Sequence, residues 1–188
     1  MTAQPAVPWV VAPGMSVRTS SVPPPHGPAE QFTAGRRAAA AALAAAGSTE
    51  RTVPRAKDGR PLFPRGFTGS ISHSGRLAVA AVVPGAEAVG VDIEPTVITP
   101  RVAAFCLREQ ERRRLLAPVG SYTARDLFAA KEAAFKAMNC LGTLGEFLFW
   151  QIRLSQCDGA LTATYRGESV PLWIRAEADL SFAVAIRR

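Results

Sequence analysis

The 188-residue chain sets 22 Lys and Arg against 15 Asp and Glu, a formal charge of +7, with 48% hydrophobic and 20% charged residues. That length buries a sizeable core in one domain or two small lobes, and no apolar run approaches the ~20 residues a bilayer span requires, so no membrane partner is expected. The positive balance favours an anionic partner, which composition leaves open among nucleic acid, a phosphorylated cofactor and an acidic protein. Aromatic residues are only 7% and are not interleaved with basic ones, which counts against a nucleic-acid module. No basic region, apolar core and small-residue cleavage site opens the chain, so no secretion signal is read and a cytoplasmic location is expected. Cys106, Cys140 and Cys157 are odd in number and lack Cys-x-x-Cys spacing, which predicts reduced, at least partly buried thiols.

Residues 1–30 are rich in Pro, Ser and Gly, and Pro23-Pro24-Pro25 rules out helix there, predicting an extended lead-in. An Ala-rich stretch from Gln31 to about Ala46 predicts a helix stopped by Gly47. Arg51–Phe67 is a loop crowded with Pro and basic residues. Strands are expected at Gly69–His73, Leu77–Val83 and Ala88–Glu94, with Gly75 and Pro84-Gly85 at the turns. Helices follow at Arg108–Leu116 and Ala124–Asn139, the second capped near Ser121–Thr123. Phe147–Ser155, Ala160–Arg166, Val170–Glu177 and Leu180–Ile186 then alternate as strands around Asp158-Gly159 and Arg166-Gly167. Strands in runs with segregated helices predict an α+β fold. Helix followed by strands occurs twice, which admits two similar lobes, 1–95 and 96–188.

Asp92 and Glu94 are two apart at a strand end, so both carboxylates face one side while Val91 and Ile93 face the other. Two adjacent carboxylates repel unless a proton or cation sits between them, and magnesium commonly takes one or two carboxylates plus substrate phosphates. A bare Asp-x-Glu is, taken alone, more simply a solvated strand end. In Phe128-Ala-Ala-Lys131-Glu132-Ala-Ala-Phe135-Lys136, spacings of four align Phe128, Glu132 and Lys136 on one helix face, which by itself is a routine Glu–Lys pair. Gly69-Ser-Ile-Ser72-His73-Ser-Gly75 offers hydroxyls, an imidazole and backbone amides that suit a phosphate or, equally, a polar turn. Arg36, Arg37, Arg55, Lys57 and Arg60 supply cations upstream; arginine matches phosphate with parallel hydrogen bonds, though such a run is more often a solvated surface.

In this order, the segments resemble the stand-alone phosphopantetheinyl transferases of secondary metabolism, in the branch typified by enterobactin-synthesis and mycobacterial enzymes. The matching residues are Phe32-Thr-Ala-Gly-Arg36-Arg37, Gly59-Arg-Pro61 with Phe63-Pro64, Gly69-Ser-Ile-Ser-His73, Val89-Gly-Val-Asp92-Ile-Glu94-Pro95 and Phe128 to Lys136. The resemblance implies a pseudo-symmetric pair of α+β lobes, each a small antiparallel sheet on a long helix. It implies a monomer that moves the phosphopantetheine arm of coenzyme A, its co-substrate, to a serine of an acidic apo acyl or peptidyl carrier protein. Asp92, Glu94 and Glu132 would hold Mg2+, and Arg36 and Arg55 the adenosine 3'-phosphate, with Arg37, Lys57, Arg60 and Ser72 nearby. His73 would meet the pyrophosphate, and Lys131 and Lys136 would stabilise phosphate charge. Glu132 or a metal-bound water would take the serine proton. A family arginine upstream of Arg36 has no evident equivalent. Rival readings are a coenzyme-binding protein without catalysis, which would have lost a carboxylate or Lys136, and a nucleic-acid binder, which would be indifferent to coenzyme A and steeply salt-dependent.

Overall fold

The computed structural model describes residues 12–139 and 148–188 and divides the chain into two units, Met1–Gly85 and Ala86–Arg188. The first unit holds β1 (Ser16–Ser21), α1 (Pro28–Ala45), β2 (Phe67–Ser74) and β3 (Leu77–Pro84). Its strands form an antiparallel sheet in the order β1-β3-β2. Strand β1 lies within the expected lead-in. Its pattern was too weak to read alone, because Val17 is its only buried residue; pairing from Ser16–Val82 to Ser21–Leu77 makes the strand.

Helix α1 starts at Pro28, earlier than expected, because proline's missing N–H costs nothing in the first turn. It buries Ala34, Gly35, Ala38, Ala39, Ala42 and Leu43, a stripe at spacings of three and four. Small side chains let the helix lie close on the sheet: a Cβ on Gly35 would stand 2.8 Å from Ile71 Cγ2.

The second unit runs β4 (Ala88–Glu94), α2 (Pro100–Cys106), α3 (Glu109–Leu115), α4 (Ala124–Met138), a 3-10 turn (Phe149–Gln151), β5 (Arg153–Cys157), β6 (Ala160–Tyr165), β7 (Glu168–Ala176) and β8 (Ser181–Arg187). The sheet is antiparallel in the order β4-β8-β7-β6-β5. The division expected after residue 95 therefore falls after residue 85, since the backbone ladder of β4 is completed by β8. Helix α2 was not foreseen: seven residues give little periodicity, although Thr99 capping Val102 N and Pro100 in the first turn are start signals. The strand expected from Phe147 begins at Arg153, after the 3-10 turn; Phe147 itself lies outside the described residues.

Both expected hairpin turns carry two positive φ values, 49° and 79° at Asp158-Gly159 and 49° and 86° at Arg166-Gly167. Such turns match the twist of the strands they join. Helix α4 opens with Thr123 Oγ1 accepting from Asp126 N at 3.2 Å while Asp126 Oδ2 accepts from Thr123 N at 2.7 Å, a reciprocal cap contributing about 1 kcal/mol. Its apolar face, with Leu127, Ala130, Ala134 and Ala137, packs on a core that includes Leu154, Ala163, Leu172 and Ala185.

A helix lying on an antiparallel sheet in each unit is the α+β class the sequence predicted. Cys106 is buried as expected, whereas Cys157, at the end of a short edge strand, is exposed; Cys140 lies outside the described residues. Among the described residues no helix is long and apolar enough to cross a membrane.

Candidate functional site

Strand alternation puts Ala88, Gly90, Asp92 and Glu94 on one face of β4, and Gly90 shows that this face meets α4. A Cβ there would stand 1.9 Å from the Ala133 carbonyl oxygen and 2.6 Å from Ala137 N. Only glycine lets the two backbones approach so closely. The contact sets the height of α4 over the strand, and with it the side chains of Glu132 and Lys136.

Lys136 Nζ donates to Asp92 Oδ1 at 2.7 Å and to the Val91 carbonyl at 3.0 Å. Asp92 is buried and Lys136 half-buried, so this ion pair sits at the margin of the core. Glu132, one turn earlier on α4, is half-buried. Its carboxyl is held above the usual value of 4.5 first by burial and then by the charge of Asp92; Lys136 pulls it down and Glu94 pushes it up. Asp92, Glu94, Glu132 and Lys136 therefore share one electrostatic neighbourhood, with three acids against one base. Glu94 Oε1 also accepts from Thr96 N at 2.7 Å, which fixes the strand end. Among the described residues, no three His, Cys, Asp or Glu side chains are grouped tightly enough to hold a metal ion as they stand.

Lys131 is placed elsewhere. It is fully buried, and its ammonium donates to Glu111 Oε2 at 2.7 Å, the Cys106 carbonyl at 2.9 Å and the Phe149 carbonyl at 3.1 Å. An ammonium has three N–H groups, and these acceptors use them all. Burial lowers its pKa from 10.5 and the Glu111 charge offsets part of that. The expected contact of Lys131 with phosphate does not fit this enclosed position.

In the first unit a cavity of about 290 Å³ is walled by Phe32, Arg36, Arg55, Pro61, Ile71 and His73, among others. Arg36 stacks over Phe32, its Cζ 4.5 Å from the ring centroid. Burial, and then the like charge of Arg55, lower the Arg36 pKa from 12.5. Arg36 Nε is buried with no hydrogen-bond partner. Two guanidinium groups close enough to repel, one with an orphaned donor, make a cavity suited to an anion. Arg37 and Lys57 are exposed outside its walls, and Arg60 is held by Asp58 at 2.6 Å. Ile71 and His73 share the cavity face of β2, so alternation turns the buried Ser72 to the opposite face.

The structure adds three residues with no role assigned from sequence. Gly90 sets the strand-to-helix distance, Phe32 carries the plane of Arg36, and Glu111 receives Lys131. A glycine inside a strand is a sequence sign of close backbone approach. Glu111 has one local mark, its place three residues after Arg108, whose backbone N–H it accepts at the start of α3, but nothing local marks its pairing with Lys131.

Comparison with known proteins adds independent findings. Residues 29–83 match the 4'-phosphopantetheinyl transferase N-terminal domain, and residues 88–186 match the 4'-phosphopantetheinyl transferase superfamily. The 4'-phosphopantetheinyl transferase Npt of Nocardia iowensis is 32% identical over 110 residues, 56% of this chain and 50% of that protein. Enterobactin synthase component D of Salmonella typhimurium is 38% identical over 123 residues, 62% of this chain and 51% of the relative. The protein of the same name from Salmonella typhi is 37% identical over 126 residues, 62% and 51% of the two chains. The chain thus spans about half the length of the curated relatives it matches.

Proposed function

Because this chain belongs to the 4'-phosphopantetheinyl transferase superfamily, we propose that it transfers the 4'-phosphopantetheine arm of coenzyme A to a serine of an apo acyl or peptidyl carrier protein. The names of its relatives, a phosphopantetheinyl transferase and a component of enterobactin synthase, support a role in arming a synthase. The observation that carries the reading is the β4–α4 neighbourhood, where Lys136 bonds Asp92 and the charges of Asp92 and Glu94 reach Glu132.

The serine oxygen attacks the β-phosphorus of coenzyme A; a new P–O bond forms, the bond to the 3',5'-adenosine bisphosphate leaving group breaks, and the serine proton passes to a base. Glu132 is assigned that proton. Burial first, and then the charge of Asp92, raise the affinity of this carboxyl for a proton, and the Lys136 ammonium opposes both. Lys136, steered by Asp92 Oδ1 and the Val91 carbonyl, sets one positive charge beside the phosphate oxygens on which charge develops.

Asp92, Glu94 and Glu132 are assigned to magnesium. The donor set fits, being oxygen alone; beyond the burial that chiefly raises the Glu132 carboxyl, Asp92 and Glu94 add like charge that a divalent cation would relieve. When bound, the ion neutralises negative charge on the phosphate oxygens. The first unit contributes anion recognition: Arg36 and Arg55 suit the 3'-phosphate of the coenzyme, with the Arg36 Nε donor awaiting an acceptor, and His73 suits the pyrophosphate.

Incubation with an apo carrier, coenzyme A and magnesium should raise the carrier mass by one phosphopantetheine arm. Unchanged mass across several acyl and peptidyl carriers would reject the assignment.

A further inference from the structure

Among the described residues, Lys131 and Glu111 form a fully buried ion pair that the transfer reaction does not use. It joins elements that the sheet does not hold. Lys131 is on α4, the Cys106 carbonyl ends α2, Glu111 is on α3, and the Phe149 carbonyl belongs to the 3-10 turn. Glu111 extends the junction: its Oε2 accepts from Arg108 N at 2.8 Å and its Oε1 from Leu154 N at 2.7 Å, on the free edge of β5. Both side chains are at most 2% exposed.

The opposite side of α4 is fixed independently by Gly90 and the apolar face over the sheet, so Glu132 and Lys136 do not depend on this pair for their place. What does depend on it is the α2–α3 segment. That segment reaches the turn of α4 that carries Glu132, since the Cys106 carbonyl at the end of α2 accepts from Lys131, the residue before Glu132. It carries Arg101, Arg108, Arg112, Arg113 and Arg114, and it presents Phe105, 63% exposed, edge-on to Trp150 at 5.5 Å. Arg108 Nε, donating to the Trp150 carbonyl at 2.9 Å, ties this aromatic pair to the same junction.

We propose that Lys131 is a positioning residue, whose ion pair with Glu111 clamps α2, α3 and the 3-10 turn against α4 so that they form a fixed wall beside Glu132 for the incoming protein substrate. The proposal rests on the transferase reading. It assigns Lys131 to productive seating of the carrier serine and not to the coenzyme.

The test compares the native chain with Lys131→Met and with Lys131→Met/Glu111→Gln. The single variant strands a buried carboxylate; the double variant removes both charges and leaves an oxygen for Leu154 N–H. In the folded double variant, KM for the apo carrier should rise, or kcat fall, about 10-fold or more while KM for coenzyme A stays within about twofold. Hydrogen exchange should quicken across 100–116 and 149–154 but not across 88–94. A rise in the coenzyme A KM with native carrier kinetics would overturn the proposal in favour of a phosphate contact. Native kinetics in both substrates, or a double variant that does not fold, would reduce the pair to a structural element and overturn it equally. Failure of the native chain to transfer at all would instead reject the underlying reaction, and the exchange measurement would still report whether Lys131 holds the wall.

Discussion

Replacing Gly90 by alanine tests how packing governs the candidate site. The added Cβ would lie 1.9 Å from the Ala133 carbonyl oxygen, where an ordinary contact needs about 3.4 Å, so α4 must retreat by roughly 1.5 Å or β4 must bend. The obstacles are backbone atoms of Ala133 and Ala137, so no side chain can rotate aside. Overpacking of this kind costs about 1–3 kcal/mol, and the rigid neighbours place Gly90→Ala at the upper end. At roughly 2–4 °C per kcal/mol for a chain of this size, the melting temperature should fall by about 6–12 °C. Lys136 would move with the helix away from Asp92, and a misplacement of about 1 Å costs on the order of 100-fold in rate. Scanning calorimetry and carrier-mass kinetics below the melting point separate the two effects. A variant melting within about 2 °C of native, with transfer within about twofold, would refute the claim that this approach sets the site.

Glu132→Gln should abolish or greatly slow transfer yet stabilise the fold. The raised pKa means that ionising Glu132 costs the native state more than the unfolded chain, so stability falls as pH rises above 4.5 and the cost is full once pH exceeds the folded pKa. The gain from Gln should therefore be present at pH 7 and vanish below pH ~4.5 in thermal melts; an equal gain at pH 4 would show another cause. Lys136→Met should strip Asp92 of the ammonium that pairs with it, lowering kcat by about 100-fold or more and slowing transfer with either substrate saturating. Arg36→Ala should raise the coenzyme A KM about 10-fold, as loss of a charge-assisted hydrogen bond would, and dephospho-coenzyme A should be used equally by variant and native chains; discrimination retained by the variant would place the 3'-phosphate elsewhere. Chelation of divalent ions should stop transfer and magnesium should restore it; turnover unaffected by chelator would remove the metal from the mechanism.

Local physics made much of this molecule legible. Asp92 and Glu94 could be set on one strand face because strand side chains alternate, and the Asp158-Gly159 and Arg166-Gly167 turns were visible because few dipeptides accept two positive φ values. Thr123 announced the start of α4 through its own hydroxyl. What failed locally failed for a common reason. Strand β1 has one buried residue and exists through its pairing with β3, and the lobe boundary moved because β4 finds its partner in β8, far along the chain at Ser181–Arg187. The two lysines show the division most clearly. Lys131 and Lys136 sit in the same helix with similar neighbours in the chain, and the sequence determined only that both lie near Glu132. Tertiary structure decided that Lys136 lies over β4 and joins Asp92, while Lys131 turns into the junction of α2, α3 and the 3-10 turn to meet Glu111. A helix of 3.6 residues per turn separates positions five apart by a large angle, but which angle faces the core depends on what the rest of the chain packs against it.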